Sequence, residues 1–124
     1  MPEVDYDKIH EMVGESDDLR IMQVLVRSSL ASGADNIPAL AIVSKDALYY
    51  GGSEAMGGKF KRVSCRSIVK SRKVGKAVWE CIEIKHMEID GERTIYVCPF
   101  SGHPNRPIKD DAAMAYLLEF LTGE

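Results

Sequence analysis

The stretch Ala39–Gly52, "ALAIVSKDALYYGG", decides the fold class. Its two apolar runs are rich in residues that favour strands, and the short polar break Ser44–Asp46 separates them. A break of this length between two such runs is typical of a β-hairpin. Gly51 and Gly52 then end the second run. The stretch predicts two antiparallel strands, and therefore a domain built mainly from β structure.

A second hairpin is predicted downstream in "KAVWECIEIKHMEIDGERTIYVCPF", residues 76–100. Apolar and charged residues alternate on both sides of Asp90-Gly91, a pair that favours tight hairpin turns. The alternation slips at His86, which indicates a β-bulge there. Trp79, the only tryptophan, is expected to pack as a partly buried structural residue.

The run "LRIMQVLVRSSLA", residues 19–31, fits either a helix or a buried strand. Its continuous apolar character does not distinguish the two by periodicity alone. Pro38 follows this run, and proline is not expected inside a central strand because it lacks a backbone N–H.

The C-terminal segment "KDDAAMAYLLEFLTGE", residues 109–124, changes to a helical period. Asp110 and Asp111 stand where a helix N-cap and first turn favour negative charge. An apolar stripe recurs at spacings of three and four and predicts the buried face: Met114, Leu117, Leu118 and Leu121. A helix of about 12 residues is marginal alone, so this stripe is expected to pack on the sheet.

The 124 residues suit one folded domain with one hydrophobic core. We predict a helical N-terminal extension over residues 1–18 and the domain proper over residues 19–124. No apolar run approaches the ~18 residues that a membrane-spanning helix needs. The acidic N-terminus lacks the pattern of an export signal, so we expect a cytoplasmic protein.

The order of these elements resembles the pleckstrin-homology-like (PH-like) superfold, in particular the bacterial PH-domain proteins and the GRAM-like domains. "ALAIVSKDALYYGG" is similar to that family's hairpin, with Leu48, Tyr49 and Tyr50 in its apolar-aromatic strand. "KFKRVSCRSIVKSRKVG", residues 59–75, resembles the next element, in which a lysine-rich strand leads through a short turn to an isoleucine, here Ile68.

The resemblance covers residues 19–122 and makes the run 19–31 the first strand. It implies a mainly β, barrel-like fold: a bent antiparallel sheet of about seven strands, capped by the C-terminal helix. The spacing of Ile9, Met12 and Val13 separately predicts a short N-terminal helix. The sequence departs from the family in two places. Ser44–Ala47 lacks the arginine of the usual hairpin turn, and Ser64-Cys65 replaces a frequent proline.

Basic side chains concentrate in residues 59–76, which carry no acidic residue, although the whole chain has a net charge of −3. We treat these bases as a candidate anion- or partner-binding set: Lys59, Lys61, Arg62, Arg66, Lys70, Arg72, Lys73 and Lys76. Strand alternation should send neighbouring bases to opposite faces, so the eight cannot all converge. The segment is expected to form two strands divided near Ser67.

Between these bases, four apolar side chains are expected to point into the core: Phe60, Val63, Ile68 and Val69. The three cysteines, Cys65, Cys81 and Cys98, form no CxxC pair and are expected to be buried thiols rather than a disulfide framework. His103 lies five residues after Cys98, but two such ligands alone make a weak metal site.

No nucleophile elbow, HExxH helix or phosphate loop occurs in the sequence. We therefore predict no enzyme, no cofactor and no metal. The favoured function is a non-catalytic binding module for protein-protein interaction or homo-oligomeric assembly, because a bent sheet leaves strand edges that a partner can join.

The alternative is binding of an anionic lipid headgroup or phosphoinositide at a membrane surface through the basic side chains. The predicted first hairpin, "SSLASGADNIPA", carries no base, which counts against this alternative. Nucleic acid is not expected as a partner, because the chain is acidic overall and its basic stretch has only Phe60 for stacking.

Overall fold

The structure, a computed structural model, describes Asp7, Glu11 and residues 20–28, 36–52, 59–75, 80–103 and 106–122. Within these ranges the elements are β1 (Arg20–Arg27), β2 (Ile37–Val43), β3 (Ala47–Gly51), β4 (Phe60–Ser64), a 3-10 turn (Cys65–Ser67), β5 (Ile68–Val74), β6 (Cys81–Glu88), β7 (Gly91–Ser101), β8 (Ile108–Lys109) and the C-terminal helix (Asp111–Thr122).

The strands form one antiparallel sheet in the order β4-β3-β2-β1-β7-β6-β5, and the short β8 pairs with β7. The predicted fold class is confirmed: a mainly β domain of seven to eight strands with a C-terminal helix. Among the described strands β4 and β5 stand at the two ends of this order and form no ladder with each other. The sheet is therefore open rather than closed into a barrel.

Within the run of residues 19–31, the described segment Arg20–Arg27 forms a strand, as the resemblance implied. β1 is central, because it pairs with β2 on one side and β7 on the other. Met22, Val24 and Val26 alternate onto the inner face and are buried in the core. The residues of the other face, among them Ile21 and Leu25, are only partly buried.

The C-terminal helix packs against β5, β6 and β7 and buries Met114, Leu117 and Leu121. Each such side chain contributes on the order of 2 kcal/mol when removed from water. Asp110 caps the helix, since its Oδ1 accepts a hydrogen bond from the backbone N–H of Ala113 at 3.0 Å. These features confirm the predicted helix, its cap and three residues of its buried stripe, whereas the fourth, Leu118, is only partly buried against the core.

Three local predictions are wrong. Pro38 lies in β2 opposite Leu25, although β2 is a central strand. The β3 ladder begins only at Leu40, so the missing N–H of Pro38 falls where the described sheet needs no second partner. The bulge expected at His86 lies instead in β5, where the register shifts between Ile68 and Lys70.

The second hairpin turns one residue earlier than predicted. Glu88 pairs with Gly91, so Ile89 and Asp90 are the two turn residues. Gly91 has a φ of 130°, a conformation that glycine adopts without the steric cost paid by other residues. This shift leaves the Ile89 side chain fully exposed to solvent.

Several predictions fall outside the described residues. Of residues 1–18 only Asp7 and Glu11 are described, and both are helical and exposed. Lys76 and Trp79 are not among the described residues. The division at residue 18 stays a prediction. In the described part of the chain, no helix has the length and apolar character required to cross a membrane.

Candidate functional site

The basic side chains of β4 lie on both faces of the sheet. Lys61 is opposite Tyr50 and Arg62 is opposite Tyr49, so successive bases alternate as expected. Arg62 donates a hydrogen bond from Nε to the Tyr49 hydroxyl at 3.2 Å. Lys59 precedes β4 at its other end and is exposed. The structure brings no common site together from these three bases.

Two bases of β5 are engaged within the chain. Arg72 Nε lies 3.0 Å from Oε1 of Glu83, and Lys73 Nζ lies 3.2 Å from Oε1 of Glu80. Hydrogen bonds from Lys109 and Lys73 lower the pKa of Glu80. These ion pairs join β5 to the residues at the start of β6 and, through Lys109, to the residues before the helix. These ion pairs therefore have a structural role, because they hold β5 to its neighbours.

Lys70 differs from its neighbours on β5. It lies directly opposite Lys85 of β6, and the described residues provide no ion pair for either ammonium group. Like charges placed opposite each other across a sheet are destabilising. Arg66, in the 3-10 turn, likewise has no ion pair among the described residues, and its backbone N–H donates to Ser64 Oγ.

A cleft of about 560 Å³ opens where the 3-10 turn meets the β6–β7 turn. We call this region the turn end and define it as residues 64–70 and 85–90. The cleft is lined by polar, charged and apolar side chains together: Arg62, Ser64, Ser67, His86, Met87, Glu88, Ile89 and Asp90. Of the predicted basic set, only Arg62 lines it.

His86 forms part of the cleft wall and is 3% exposed. Its Nε2 is buried without a hydrogen-bond partner among the described residues. A buried polar atom that lacks a partner costs on the order of 1–3 kcal/mol, so native proteins seldom retain one. The imidazole nitrogen is therefore the least satisfied polar group of the cleft.

The carboxylates on the cleft rim are already paired. Arg93 forms ion pairs with both Glu88, at 3.6 Å, and Asp90. These contacts lower the pKa of Asp90, chiefly through its hydrogen bond with Arg93. The cleft region thus combines both signs of charge and has no strong net charge of its own.

Exposed apolar side chains surround the cleft. Among the described residues four large apolar side chains are exposed, and three of them, Val69, Met87 and Ile89, belong to the turn end. Val69, expected in the core, is 57% exposed. The register shift between Ile68 and Lys70 accounts for this, because a bulge leaves the extra residue unpaired and turned outward.

Within the described ranges no group of three or more metal-binding side chains occurs. The cysteines are free thiols, as expected, but only Cys81 is fully buried, whereas Cys65 and Cys98 are partly exposed. His103 is exposed.

Comparison with known proteins bears on the fold. The hSac2 domain from the human phosphoinositide phosphatase Sac2 is similar in structure, with a TM-score of 0.51 and 14% sequence identity. The match covers 98% of this chain and 84% of that chain. The shared feature is the fold, an antiparallel sheet followed by a C-terminal helix. No family model and no curated protein matches the sequence.

This neighbour corrects the prediction that the chain is not an enzyme. That prediction relied on the absence of catalytic motifs and on the use of PH-like folds as binding scaffolds. The structural neighbour is a domain of a phosphatase, so the fold does not exclude an enzyme and the prediction is wrong. Fold alone is compatible with a domain of an enzyme and with a lipid- or protein-binding module.

Proposed function

We propose that the chain is a protein-binding module of the PH-like type, related to the bacterial PH-domain and GRAM-like proteins, and that it binds an extended acidic segment of a partner at the turn end. The seven-strand order and the C-terminal helix support the PH-like assignment. One observation carries the site: exposed Met87 and Ile89 line a cleft in which a buried His86 nitrogen has no hydrogen-bond partner among the described residues, and exposed Val69 belongs to the same turn end.

The apolar contribution comes from the exposed side chains. Covering Val69 and Met87 with an aliphatic side chain would remove apolar surface from water, at roughly 25 cal/mol per Å². Exposed apolar side chains gathered in one place are typical of interaction sites. The partner segment should therefore carry at least one aliphatic residue.

The charge of the partner follows from Lys70 and Lys85. A carboxylate placed between the two ammonium groups would replace a repulsive contact with two attractive ones. Beside them β5 has only β6 as a ladder neighbour among the described strands, so its outer edge is open to an added strand.

Pairing of β5 with the β5 of a second copy is disfavoured. An antiparallel pair centred on Ser71 would set Lys70 opposite Arg72 of the other copy. A phosphoinositide headgroup is also disfavoured, although the structural neighbour belongs to a phosphoinositide phosphatase, because Arg72 and Lys73 of the basic set are already held in ion pairs with Glu83 and Glu80.

Fluorescence anisotropy with two labelled model peptides tests the proposal. One peptide alternates valine with glutamate, and the other alternates valine with lysine. We expect the acidic peptide to bind and the basic one not to bind. Lys70→Glu should weaken binding of the acidic peptide by about tenfold or more, which corresponds to a loss of ~1.4 kcal/mol or more in binding free energy.

Lys59→Glu provides the matched control, because Lys59 is exposed at the opposite end of β4 from the cleft. It changes the net charge equally and should leave binding unchanged. Equal weakening of peptide binding by Lys70→Glu and Lys59→Glu would show that the peptide is held by non-specific electrostatic attraction. Flotation with phosphatidylserine vesicles, in the absence of peptide binding, would favour the lipid alternative instead.

A further inference from the structure

Cys81 and Cys98 face each other across β6 and β7. Ile82 pairs with Val97, so the next residue on each strand, Cys81 and Cys98, falls opposite the other. Directly opposed residues of antiparallel strands have Cα atoms about 4.5–5.5 Å apart, which is within the span of a disulfide. Both cysteines are free thiols. The sheet therefore holds two thiols in a geometry that needs little movement to join them.

The two thiols have different chemical environments. The Cys98 thiol forms a hydrogen bond with the Cys81 sulfur that lowers the pKa of Cys81, and the Arg27 charge acts in the same direction against the effect of burial. The same hydrogen bond and burial raise the pKa of Cys98. Cys98 Sγ also lies 3.0 Å from the Glu80 carbonyl oxygen, to which it can donate. Because the single proton of the Cys98 thiol is held between the Cys81 sulfur and the Glu80 carbonyl oxygen, Cys98 is the protonated partner and Cys81 the nucleophile.

We propose that Cys81 and Cys98 form a redox-modification site, which a hydroperoxide converts into a cross-strand disulfide between β6 and β7. The accessibility of the two thiols determines which class of oxidant can react with them. Cys81 is fully buried and Cys98 partly exposed, so a small molecule such as hydrogen peroxide can reach the pair more readily than a bulky disulfide.

The reaction has two balanced steps. The Cys81 thiolate attacks one peroxide oxygen; an S–O bond forms, the O–O bond breaks, and the departing hydroxide takes up a proton as water. The Cys98 sulfur then loses its proton and attacks the Cys81 sulfur. The S–S bond forms and the S–O bond breaks, releasing a second water, so one peroxide is reduced as two thiols are oxidised.

Mass spectrometry of the peroxide-treated protein tests the proposal. After exposure to hydrogen peroxide at pH 7, with glutathione present as an internal standard, remaining thiols are blocked with N-ethylmaleimide in denaturant. We expect a mass loss of ~2 Da before blocking, and a single label, on Cys65, instead of three. Burial and the Asp46 carboxylate raise the pKa of Cys65, which makes it the matched slow thiol.

Variants assign the two roles. Cys65→Ala should form the same disulfide, whereas Cys98→Ser, which keeps a hydrogen-bond donor beside Cys81, should accumulate a sulfenic acid on Cys81 that dimedone traps. Circular dichroism checks that each variant folds, and the wild-type result decides the main claim without them. Three labels on the wild type after complete oxidation of glutathione, or a disulfide that includes Cys65, would overturn the proposal.

Discussion

Lys70 of β5 lies directly opposite Lys85 of β6, with no carboxylate from the described residues paired to either ammonium group. The two lysines repel each other within the isolated domain. In the proposed function the two lysines form the positive part of a docking surface. A mutation should therefore affect the stability of the domain and its binding of a partner in opposite directions.

Lys70→Glu should stabilise the domain while it weakens partner binding. An opposite-charge pair across the two strands replaces a like-charge pair, and such pairs differ by about 0.2–1 kcal/mol in the free energy of unfolding. Urea denaturation of wild type, Lys70→Glu and Lys59→Glu provides the measurement. A destabilised Lys70→Glu would show that the lysine has a structural partner instead.

His86→Leu should leave the domain as stable as the wild type or stabilise it by roughly 1 kcal/mol, because the substitution removes a buried nitrogen that has no hydrogen-bond partner in the described part of the chain. The same substitution should weaken binding of the acidic peptide if a group of the partner forms a hydrogen bond with His86 Nε2. Thermal denaturation and peptide anisotropy measured together separate the two effects. A loss of stability above about 2 kcal/mol, with unaltered peptide binding, would assign His86 to the fold alone.

Leu117→Ala should destabilise the domain by about 2–5 kcal/mol, because Leu117 is fully buried where the helix packs on the sheet. Ala115→Ser, on the exposed face of the same helix, should change stability by less than about 0.5 kcal/mol. Chemical denaturation followed by circular dichroism checks both. Equal effects of the two substitutions would mean that the helix does not pack as described.

Protonation of Glu83 should lower the stability of the domain in acid. Burial opposes its ionisation, but the hydrogen bond and charge of Arg72, with the Tyr96 hydroxyl, outweigh this and lower the pKa of Glu83. A folded-state pKa below the unfolded value of about 4.3 adds stability above that pH, and the contribution is lost as the pH falls through the folded value.

The melting temperature of Glu83→Gln should therefore vary less with pH than that of the wild type between about pH 5 and pH 3. Glu80, whose pKa is also lowered, should preserve part of the slope in the variant. Parallel curves of melting temperature against pH for the wild type and Glu83→Gln would show that Glu83 does not cause the loss of stability in acid.

Local sequence signals were sufficient to predict most of the fold. The polar break at Ser44–Asp46, the strand division near Ser67 and the N-cap at Asp110 each depend on neighbouring residues, and the structure confirms all three. The ambiguous run of residues 19–31 was settled by the resemblance to the PH-like superfold, which made it the first strand.

The site depended on information that the sequence does not carry locally. Val69 is exposed because the pairing of β5 with β6 shifts by one residue, and Ile89 is exposed because the hairpin turn begins one residue early. Register also decides that Arg72 meets Glu83 while Lys70 meets Lys85. A count of basic residues cannot distinguish a base that stabilises the sheet from one left without a partner.

Selection from a library of displayed random peptides measures which partner segments the turn end binds. Against the wild type, we expect enrichment of segments that combine acidic with aliphatic residues. Against the double variant Lys70→Glu, Lys85→Glu, the enriched charge should change from acidic to basic. Peptides without a charge preference, or an acidic preference that survives the double variant, would contradict binding at the turn end.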